Sequence, residues 1–305
     1  MTVSKQKKHS RVSHILDSRL ACGLFFVLPA FVVVVVFMII PAILSLRYSF
    51  TNWDGISQNY SFVGFDNFRS VMNDRAFSTL MFNSFYLIIL YVPVLNILAL
   101  FFAITIYDIG RFANFYKVVL FFPNIISMVV VGFIWRMIYN PSTGVLAYIL
   151  RNIGLSHLIV DWLGQRNTVL PALSVSIIWF AMGFYVLIYL GGLSTVPTEL
   201  YEAAEVDGIG WWKKIYYITI PMIAQSITIN IILSTIAILT LFDLPYVLTQ
   251  GGPGFASQTM ALMVYHYAFR ALQPGRAMAL AIILTVITML IAVIELRFLR
   301  RKERF

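Results

Sequence analysis

The 305-residue sequence contains little charge: 11% of its residues are Asp, Glu, Lys or Arg, whereas 60% are hydrophobic. Its mean hydropathy is +0.85. A soluble domain of this length needs a more charged surface, so the composition predicts a protein that crosses a membrane several times. The net charge of +9 arises from basic residues at the two ends and beside apolar runs. Membrane orientation explains that distribution better than nucleic-acid binding does.

Disulfide partners, clustered histidines and catalytic motifs are missing as well. Cys22 is the single cysteine, which excludes an intramolecular disulfide, and the four histidines have no metal-ligand spacing. No Gly-Lys pair occurs, so the phosphate-binding motif Gly-x-x-x-x-Gly-Lys-Ser/Thr is absent. Neither Gly-x-Ser-x-Gly nor His-Glu-x-x-His occurs. The sequence therefore predicts no catalytic residue, metal site or cofactor site in this chain.

The sequence does contain six apolar runs, each close to the length of about 20 residues that crosses a bilayer as a helix. They lie at 21–46, 76–107, 118–135, within 167–198, at 215–242 and at 277–294. The first run follows a basic segment, as in a signal peptide, but it is too long and lacks a small-residue cleavage site. We therefore predict an all-α membrane protein with six transmembrane helices, the first of them retained.

The basic residues predict the orientation of these spans. Fourteen of the 22 Lys and Arg residues fall in the two tails and in the second and fourth connections, and eight fall in the other three loops. Because positive charge favours the cytoplasmic side, both termini are predicted to be cytoplasmic. The predicted organisation is a basic tail at 1–19, a six-helix transmembrane domain at 20–296 and a second basic tail at 297–305.

The fourth connection, at 197–221, is a polar island between two apolar spans. A short helix is predicted to begin at Pro197 and Thr198, with the proline in its first turn and the threonine as its cap. Glu199 and Glu202 would lie near its positive end. Gly208 and Gly210 are predicted to stop it. The helix would be roughly two to three turns long, too short to be stable without docking on something.

Two features of this loop bear on what it docks against. Ala203 and Ala204 have no bulk, so another surface can approach the helix backbone closely. Lys213 and Lys214 are predicted to face lipid headgroups or water. A solvated acidic helix in a cytoplasmic loop is the simpler alternative on composition alone.

The loop also resembles a known signature. It reads Glu202-Ala203-Ala204, three residues, Gly208, nine residues, then Ile218-x-Ile220-Pro221. This pattern resembles the cytoplasmic loop of permeases from binding-protein-dependent ABC importers, which usually have leucine in place of Ile220. The resemblance covers roughly residues 20–300.

Other stretches are similar to the carbohydrate branch of that family. The longest reads Phe242-Asp243-Leu-Pro-Tyr246-Val-Leu-Thr249-Gln-Gly251-Gly252-Pro253. Further similar stretches are Phe122-Pro123 through Trp135 to Asn140-Pro141-x-x-Gly144, Gly192-Leu193-x-x-x-Pro197, and Phe62-Val-Gly64-Phe-Asp-Asn-Phe68. The resemblance implies import of a sugar or oligosaccharide across the bacterial cytoplasmic membrane. It does not name the sugar, and substrates of the glycerol-phosphate type stay open.

The resemblance also implies roles and partners. The loop would be a coupling helix in a cleft of a cytoplasmic ATPase, with Glu202 paired to a basic group there and Gly208 allowing the turn. The expected partners are a second permease subunit, a dimer of ATPase subunits that binds ATP and Mg²⁺, and an external sugar-binding protein. Transport would proceed by alternating access, driven by ATP in the partner subunits.

Candidate substrate contacts are aromatic, because aromatic faces cover the C–H surfaces of sugars and polar neighbours satisfy the hydroxyls. The candidates are Trp179, Phe180, Phe184 and Tyr185 in the fourth span and Phe242, Asp243 and Tyr246 near the end of the fifth. Most aromatic residues of such a chain serve in packing or at the membrane interface. Asn83 and Asn96 are predicted to be interhelical hydrogen-bond partners rather than ligands.

Asp243 is open to two interpretations. An intramembrane carboxylate is by default a functional candidate. On a continuous fifth helix it would lie about 30 Å from Met222, near the external face. There it could contact substrate or could cap the helix end, and no second membrane carboxylate is expected to serve as a proton relay.

A secondary transporter and a membrane enzyme are the two alternatives to an importer permease. A homodimeric secondary transporter of small polar solutes would need internal repeats or broken helices around an ion site, and no repeat relates 20–110 to 170–300. A membrane enzyme would need an acid–base or nucleophile cluster, which the sequence does not offer.

Overall fold

The computed structural model describes residues 19–300, with side chains from residue 23 onward. Most of the two predicted basic tails, at 1–19 and 297–305, lies outside the described residues. The all-helical prediction is confirmed. Within 19–300 no β-strand forms, and the extended backbone that pairs is a single isolated bridge between Thr51 and Phe62.

The N-terminal apolar run forms one long, bent helix. It comprises α1 (Arg19–Val34), a π-helical turn (Val35–Ile39) and α2 (Ile40–Tyr48). Pro41 lies two residues after the end of this turn; since proline cannot donate to the preceding carbonyls, a locally widened helix accommodates it. The apolar part of this helix, Gly23–Tyr48, has none of its most apolar window buried inside the chain. Lipid or another subunit must therefore cover it.

The structure divides the region of the predicted second and third spans into different helices from those that the sequence predicted. After a short outer helix α3 (Asp66–Met72), the chain forms α4 (Phe77–Ile109), a 3₁₀ turn (Gly110–Phe112), α5 (Ala113–Ile125) and α6 (Met128–Ile138). The break at Ile126 and Ser127 falls inside the predicted span 118–135, and both residues have extended backbone, with ψ of 140° and 136°. Pro123 removes a helical donor just before this break.

Within residues 19–300, five helical stretches are long and apolar enough to cross a membrane, namely Gly23–Tyr48, Phe77–Ile125, Val169–Leu193, Ala224–Leu248 and Pro274–Arg300. The stretch Phe77–Ile125 contains the turn at Gly110, where φ is +64°. The helix Met128–Ile138 is apolar but short. The predicted count of six spans therefore stays a prediction.

The central helix is α8 (Val169–Leu193), which follows α7 (Val145–Asn152) and packs against both α4 and α5. Gly183 of α8 lies directly on the backbone of α5; a Cβ at this position would lie 2.3 Å from the carbonyl oxygen of Leu120. Small residues at such crossings let membrane helices approach closely. Gly183 therefore fixes α5 against α8.

The C-terminal half consists of shorter pieces than the sequence suggested. They are α9 (Thr198–Val206), α10 (Trp211–Lys214), a π turn (Ile215–Thr219), α11 (Ile220–Met222), α12 (Ala224–Leu239), α13 (Asp243–Leu248), α14 (Met260–Tyr265), a second π turn (His266–Arg270) and α15 (Pro274–Arg300). The predicted continuous span 215–242 is wrong in this respect, because Ile223 and Thr240 leave helical geometry.

Buried polar side chains join the long helices. Asn96 of α4 donates from Nδ2 to Ser234 Oγ at 3.0 Å, and its Oδ1 accepts from the Tyr189 hydroxyl at 2.8 Å. Asn83 donates from Nδ2 to the carbonyls of Phe255 and Gln258, at 2.9 Å each. The prediction of an interhelical partner is confirmed for Asn96, whereas Asn83 bonds the loop that precedes α14 rather than another helix.

The helix ends define two faces of the molecule. The C-terminal ends of α4 and α8 meet α9 and α10 at one end, which is labelled the coupling end after the role that the sequence predicts for α9. The N-terminal ends of α4 and α8 meet residue Ala256 at the opposite end, which is labelled the outer end after its predicted orientation. The chain between α4 and α8 must therefore return from one end to the other.

Candidate functional site

The polar loop at the coupling end carries the predicted short helix, but its start differs from the prediction. Pro197 has extended backbone (ψ 130°) and precedes the first helical residue, Thr198. No side chain caps the helix, so the predicted threonine cap is wrong. The reason is register: Thr198 lies one position too late, inside the first turn, whereas a capping side chain belongs to the residue before the helix.

The end of this helix matches the prediction. Gly208 has φ of +68°, its N–H donates to the Glu205 carbonyl at 3.1 Å, and the N–H of Ile209 donates to the Ala204 carbonyl at 2.9 Å. This is the left-handed exit that glycine adopts at low cost. Gly210 has φ of −65° and takes no part in it.

The two alanines of the loop face different ways. Ala204 is 3% exposed and packs against the chain itself, whereas Ala203 is exposed, as is Val206 at 89%. An apolar side chain that protrudes this far from a short helix leaves surface that the chain itself does not cover. One side of α9 therefore docks inward and the other side is free.

Two side-chain contacts hold α9 to the start of the next membrane helix. Lys214 Nζ lies 2.9 Å from Glu205 Oε1 in an ion pair, and the hydroxyls of Tyr201 and Thr219 lie 3.1 Å apart. The prediction that Lys214 faces lipid or water is thereby wrong, because Glu205, in the last turn of α9, comes within its reach. Thr219 is buried at 3% exposure, so the Tyr201 contact reaches into the packed part of the fold.

Beneath the helix lies a cavity of about 300 Å³, lined in part by Asp108, Glu202, Glu205 and Lys214. Glu205 is compensated by Lys214, while Glu202 has no hydrogen bond or ion pair with another residue in the described range 19–300. The cavity thus carries excess negative charge, which favours a cationic partner.

Pro221 is the last residue of the signature sequence that begins at Glu202. It follows the π turn Ile215–Thr219 and lies in α11, exposed to the surroundings. A proline here removes a backbone donor, and the preceding widened turn accommodates the loss. The tethered loop and the membrane helix are therefore joined through an irregular hinge-like segment rather than a regular α-helix.

A second site lies near the outer end, where α13 begins. The rings of Phe242 and Tyr246 are stacked, with centroids 5.3 Å apart and planes at 18°. Tyr265 packs against both, at 5.3 and 5.2 Å. A cavity of about 360 Å³ beside them is lined by Val129, Phe133, Arg136, Phe242, Asp243, Tyr246, Val247 and Gln250.

Asp243 is placed differently from the expectation of a single continuous helix. It is the first residue of the separate helix α13, because the chain breaks at Thr240 after α12. Its side chain is exposed and has no hydrogen bond or ion pair with another residue between 19 and 300. The carboxylate is therefore available in the cavity beside Phe242.

The four aromatic candidates on α8 do not join this cluster. Trp179 packs on Trp135, with ring centroids 5.8 Å apart. Phe184 packs on Tyr185, which is 4% exposed, and Phe180 is half-buried against the core. The structure thus gathers Phe242, Asp243 and Tyr246 in one cavity and places the α8 candidates in packing contacts.

Sequence reasoning missed several residues at these sites. Arg136 and Gln250 line the cavity with Asp243, and Tyr265 completes the aromatic cluster. Glu295 also contradicts the expectation of no second membrane carboxylate: it lies within α15 and accepts from Thr235 Oγ1 at 2.8 Å. Its position one residue beyond the predicted span end at 294 concealed it, since α15 continues to Arg300.

Comparison with known proteins decides the family. The sequence profile described as "Binding-protein-dependent transport system inner membrane component" matches residues 72–304. The chain belongs to this family. Its members are the permease subunits of ABC transporters, with the ATPase in a separate chain. The chain is accordingly a multi-pass protein of the inner membrane.

Several permeases named for the sugars that they transport are similar to this chain. The diacetylchitobiose uptake system permease NgcF of Streptomyces coelicolor is 33% identical, covering 85% of this chain and 76% of NgcF. The trehalose/maltose transport system permease MalF of Thermococcus litoralis is 31% identical, covering 80% and 82%. The multiple sugar-binding transport system permease MsmF of Streptococcus mutans is 28% identical, covering 92% and 96%.

Solved structures confirm the fold. A chain of a bacterial ABC transporter for the acidic polysaccharide alginate superposes with a TM-score of 0.82, covering 96% of this chain and 99% of that one at 24% identity. A complex of a bacterial alginate ABC transporter with its pentasaccharide-bound periplasmic protein contains a chain with the same TM-score at 23% identity. The family fold is thus present over nearly the whole chain.

Proposed function

We propose that this chain is the membrane subunit of an ATP-driven importer that moves a sugar or oligosaccharide inward by alternating access. The observation that carries the proposal is the pairing of two sites in one family member. One is the tethered acidic helix α9 at the coupling end, and the other is the aromatic and polar cavity at Phe242 near the outer end.

Six crossings with both termini in the cytoplasm are part of the proposal. Because α4 ends at the coupling end and α8 begins at the outer end, the intervening chain must cross once. Helices α5 and α6 are the segments that can do so, and α5 packs closely along α8. The excess of basic residues on the proposed cytoplasmic side supports the orientation.

Helix α9 is proposed to couple the membrane helices to the ATPase. Its exposed side, with Ala203 and Val206, would enter a cleft of the partner, and Glu202 would pair with a basic group there. The contacts Glu205–Lys214 and Tyr201–Thr219 would transmit the displacement of α9 to the helix that follows. Gly208 would preserve the turn on which this arrangement depends.

The cavity at α13 is proposed as the substrate site. The stacked faces of Phe242 and Tyr246 suit the C–H surface of a sugar ring. Asp243 can accept hydrogen bonds from hydroxyls, and Arg136 and Gln250 can donate to them. The sugar cargoes named for NgcF, MalF and MsmF support the assignment of a carbohydrate substrate.

The proposal requires further subunits. These are a second permease chain, a pair of ATPase subunits that would hold ATP and Mg²⁺, and an external binding protein that delivers the sugar. No phosphate-binding motif occurs in this sequence, so hydrolysis is assigned to the partners. The uncovered apolar helix Gly23–Tyr48 is a surface that a second permease chain would bury.

The test begins with affinity purification from native membranes in mild detergent, followed by reconstitution of the recovered complex in liposomes. We expect an ATPase and a second permease to co-purify, and ATP-dependent sugar uptake. Glu202→Gln should abolish uptake while the complex still assembles and hydrolyses ATP. Glu199→Gln on the same helix is the matched control. Recovery of the chain alone, or normal uptake with Glu202→Gln, would refute the proposal.

A further inference from the structure

A separate cavity of about 430 Å³ lies at the outer end, between the N-terminal part of α4 and the start of α8. It is lined by Phe82, Asn83, Tyr86, Arg166, Asn167, Leu170, Pro171 and Ala256. It shares no lining residue with the 360 Å³ cavity at α13. The proposed transport function does not use this cavity, and its lining combines aromatic, amide and guanidinium side chains.

One wall of the cavity is aromatic. Phe82 and Tyr86 lie one helical turn apart on α4, with ring centroids 5.9 Å apart. Phe82 is 64% exposed and Tyr86 is half-buried. These two partly exposed rings can cover the face of a sugar ring, and the phenol oxygen of Tyr86 can hydrogen-bond to one of its substituents.

The other walls hold polar groups that the chain itself leaves unused. Arg166 is exposed, and within residues 19–300 neither its guanidinium nor the Asn167 amide makes a hydrogen bond or ion pair. Asn83 is 2% exposed and uses Nδ2 for two loop carbonyls, while its Oδ1 accepts no hydrogen bond from the described chain. The Asn83 carbonyl oxygen is thus left without a protein donor, and a ligand in the cavity that Asn83 lines can donate a hydrogen bond to it.

The charge of this cavity differs from that of the others described. Arg136 shares its cavity with Asp243, and Lys214 shares its cavity with three acids. Arg166 shares its cavity with no acidic side chain. A planar guanidinium without an internal partner is suited to a carboxylate, which it can bind with two parallel hydrogen bonds.

We propose that this outer cavity binds an acidic sugar unit, a pyranose that carries a carboxylate. The ring stacks on Phe82 and Tyr86, the carboxylate pairs with Arg166, and a hydroxyl donates to Asn83 Oδ1. This assignment rests on the proposed function, because it supplies a first contact for cargo at the outer face of the importer. It narrows the class of cargo from sugars in general to sugars with a uronate unit.

The test uses the purified importer complex in nanodiscs, without the external binding protein. Binding of trigalacturonate is compared with binding of neutral maltotriose by isothermal titration at low and high salt. We expect trigalacturonate to bind more tightly, and Arg166→Gln to weaken its binding by roughly tenfold or more, since the charged hydrogen bonds between the guanidinium and the carboxylate are lost. Phe82→Ala should weaken both sugars. Arg69→Gln, which removes an exposed charge elsewhere on the outer face, should change neither.

The outcomes separate this proposal from the proposed function. If trigalacturonate binds no better than maltotriose, or if Arg166→Gln leaves its affinity unchanged, the acidic-sugar site is refuted even where ATP-driven uptake of a neutral sugar persists. If Arg166→Gln weakens only the docking of the external binding protein, the cavity is a protein contact and the proposal is equally refuted. Loss of assembly with the ATPase would instead count against the proposed function.

Discussion

The two ends of the C-terminal half are built on opposite principles. At the outer end, Ser257, Gln258 and Thr259 are buried to 0–2% exposure, and Thr259 donates from Oγ1 to the Leu241 carbonyl at 2.7 Å. At the coupling end, the polar residues of α9 are exposed and are held by one ion pair and one hydroxyl contact. The buried polar residues 257–259 at the outer end are hydrogen-bonded within the chain. In contrast, α9 at the coupling end leaves the carboxylate of Glu202 and apolar surface available to another molecule.

This difference indicates where the chain depends on its partners. A loop whose polar groups are paired internally keeps its shape when the complex comes apart, because each unpaired buried group would cost free energy. A short helix with exposed Val206 and an uncompensated Glu202 gains stability when a partner covers it. The substrate end is thus predicted to be rigid in the isolated chain, and the coupling end is predicted to be ordered by the ATPase.

The largest expected effect comes from breaking the internal pairing at the outer end. Asn83→Leu removes the donor to the carbonyls of Phe255 and Gln258. We expect a loss of about 1–3 kcal/mol for each carbonyl left without a partner. Thermal unfolding in nanodiscs measures the loss, and hydrogen exchange should localise it to residues 255–259. Asn73→Leu, at an exposed position after α3, is the control. Equal unfolding temperatures for the two variants would contradict this account of the outer end.

A smaller effect is expected at the turn that ends α9. Gly208 has φ of +68° and Gly210 has φ of −65°, and a Cβ at either would meet no atom within 4 Å. Because only the backbone conformation differs, Gly208→Ala should cost about 1 kcal/mol in the loop while Gly210→Ala costs much less. We expect sugar uptake per ATP hydrolysed to fall only for Gly208→Ala. The same decrease for both variants would show that flexibility, rather than the left-handed turn, matters.

The ion pair at the coupling end should contribute still less to stability. The Glu205 side chain is 70% exposed and that of Lys214 is 20% exposed, and exposed pairs contribute roughly 0.2–1 kcal/mol. Lys214→Met should therefore leave the unfolding temperature almost unchanged. If the pair tethers α9 to the next helix, coupling of uptake to hydrolysis should decrease, and the exchanged pair Glu205→Lys with Lys214→Glu should restore it. A failure of the exchanged pair to restore coupling would argue against the tether.

The comparison of the two ends also explains what the sequence could predict. The left-handed exit at Gly208 was predictable because glycine marks it locally, and the interhelical role of Asn96 followed from the cost of an amide in a membrane. The short helices α12 and α13 were not predictable from hydropathy, since an apolar run does not reveal a backbone break such as that at Thr240. The cavity residue Arg136 lies more than 100 positions from Asp243, so only the fold brings the two together.

The smallest effect is expected when the pH is lowered and the carboxyl of Asp74, between α3 and α4, becomes protonated. Partial burial would raise the pKa of Asp74, but the Tyr267 hydroxyl at 2.7 Å, the Ala76 N–H and the charge of Arg276 lower the pKa below its ordinary value. Because the carboxyl is harder to protonate in the folded chain, its contribution is fully present above the ordinary aspartate pKa. That contribution is lost as the pH falls through the lowered value.

Asp74→Asn should therefore lower the unfolding temperature slightly at pH 7, and the difference from the wild type should vanish as the pH falls below the ordinary aspartate range. Asp66→Asn makes the same charge change in the same loop, at an exposed position without a side-chain hydrogen bond in the described chain. It should show no comparable loss. A difference for Asp74→Asn that persists at low pH would mean that the site depends on the shape of the side chain and not on its charge. The anchor at Asp74 would then depend on packing rather than on the charge of the carboxylate.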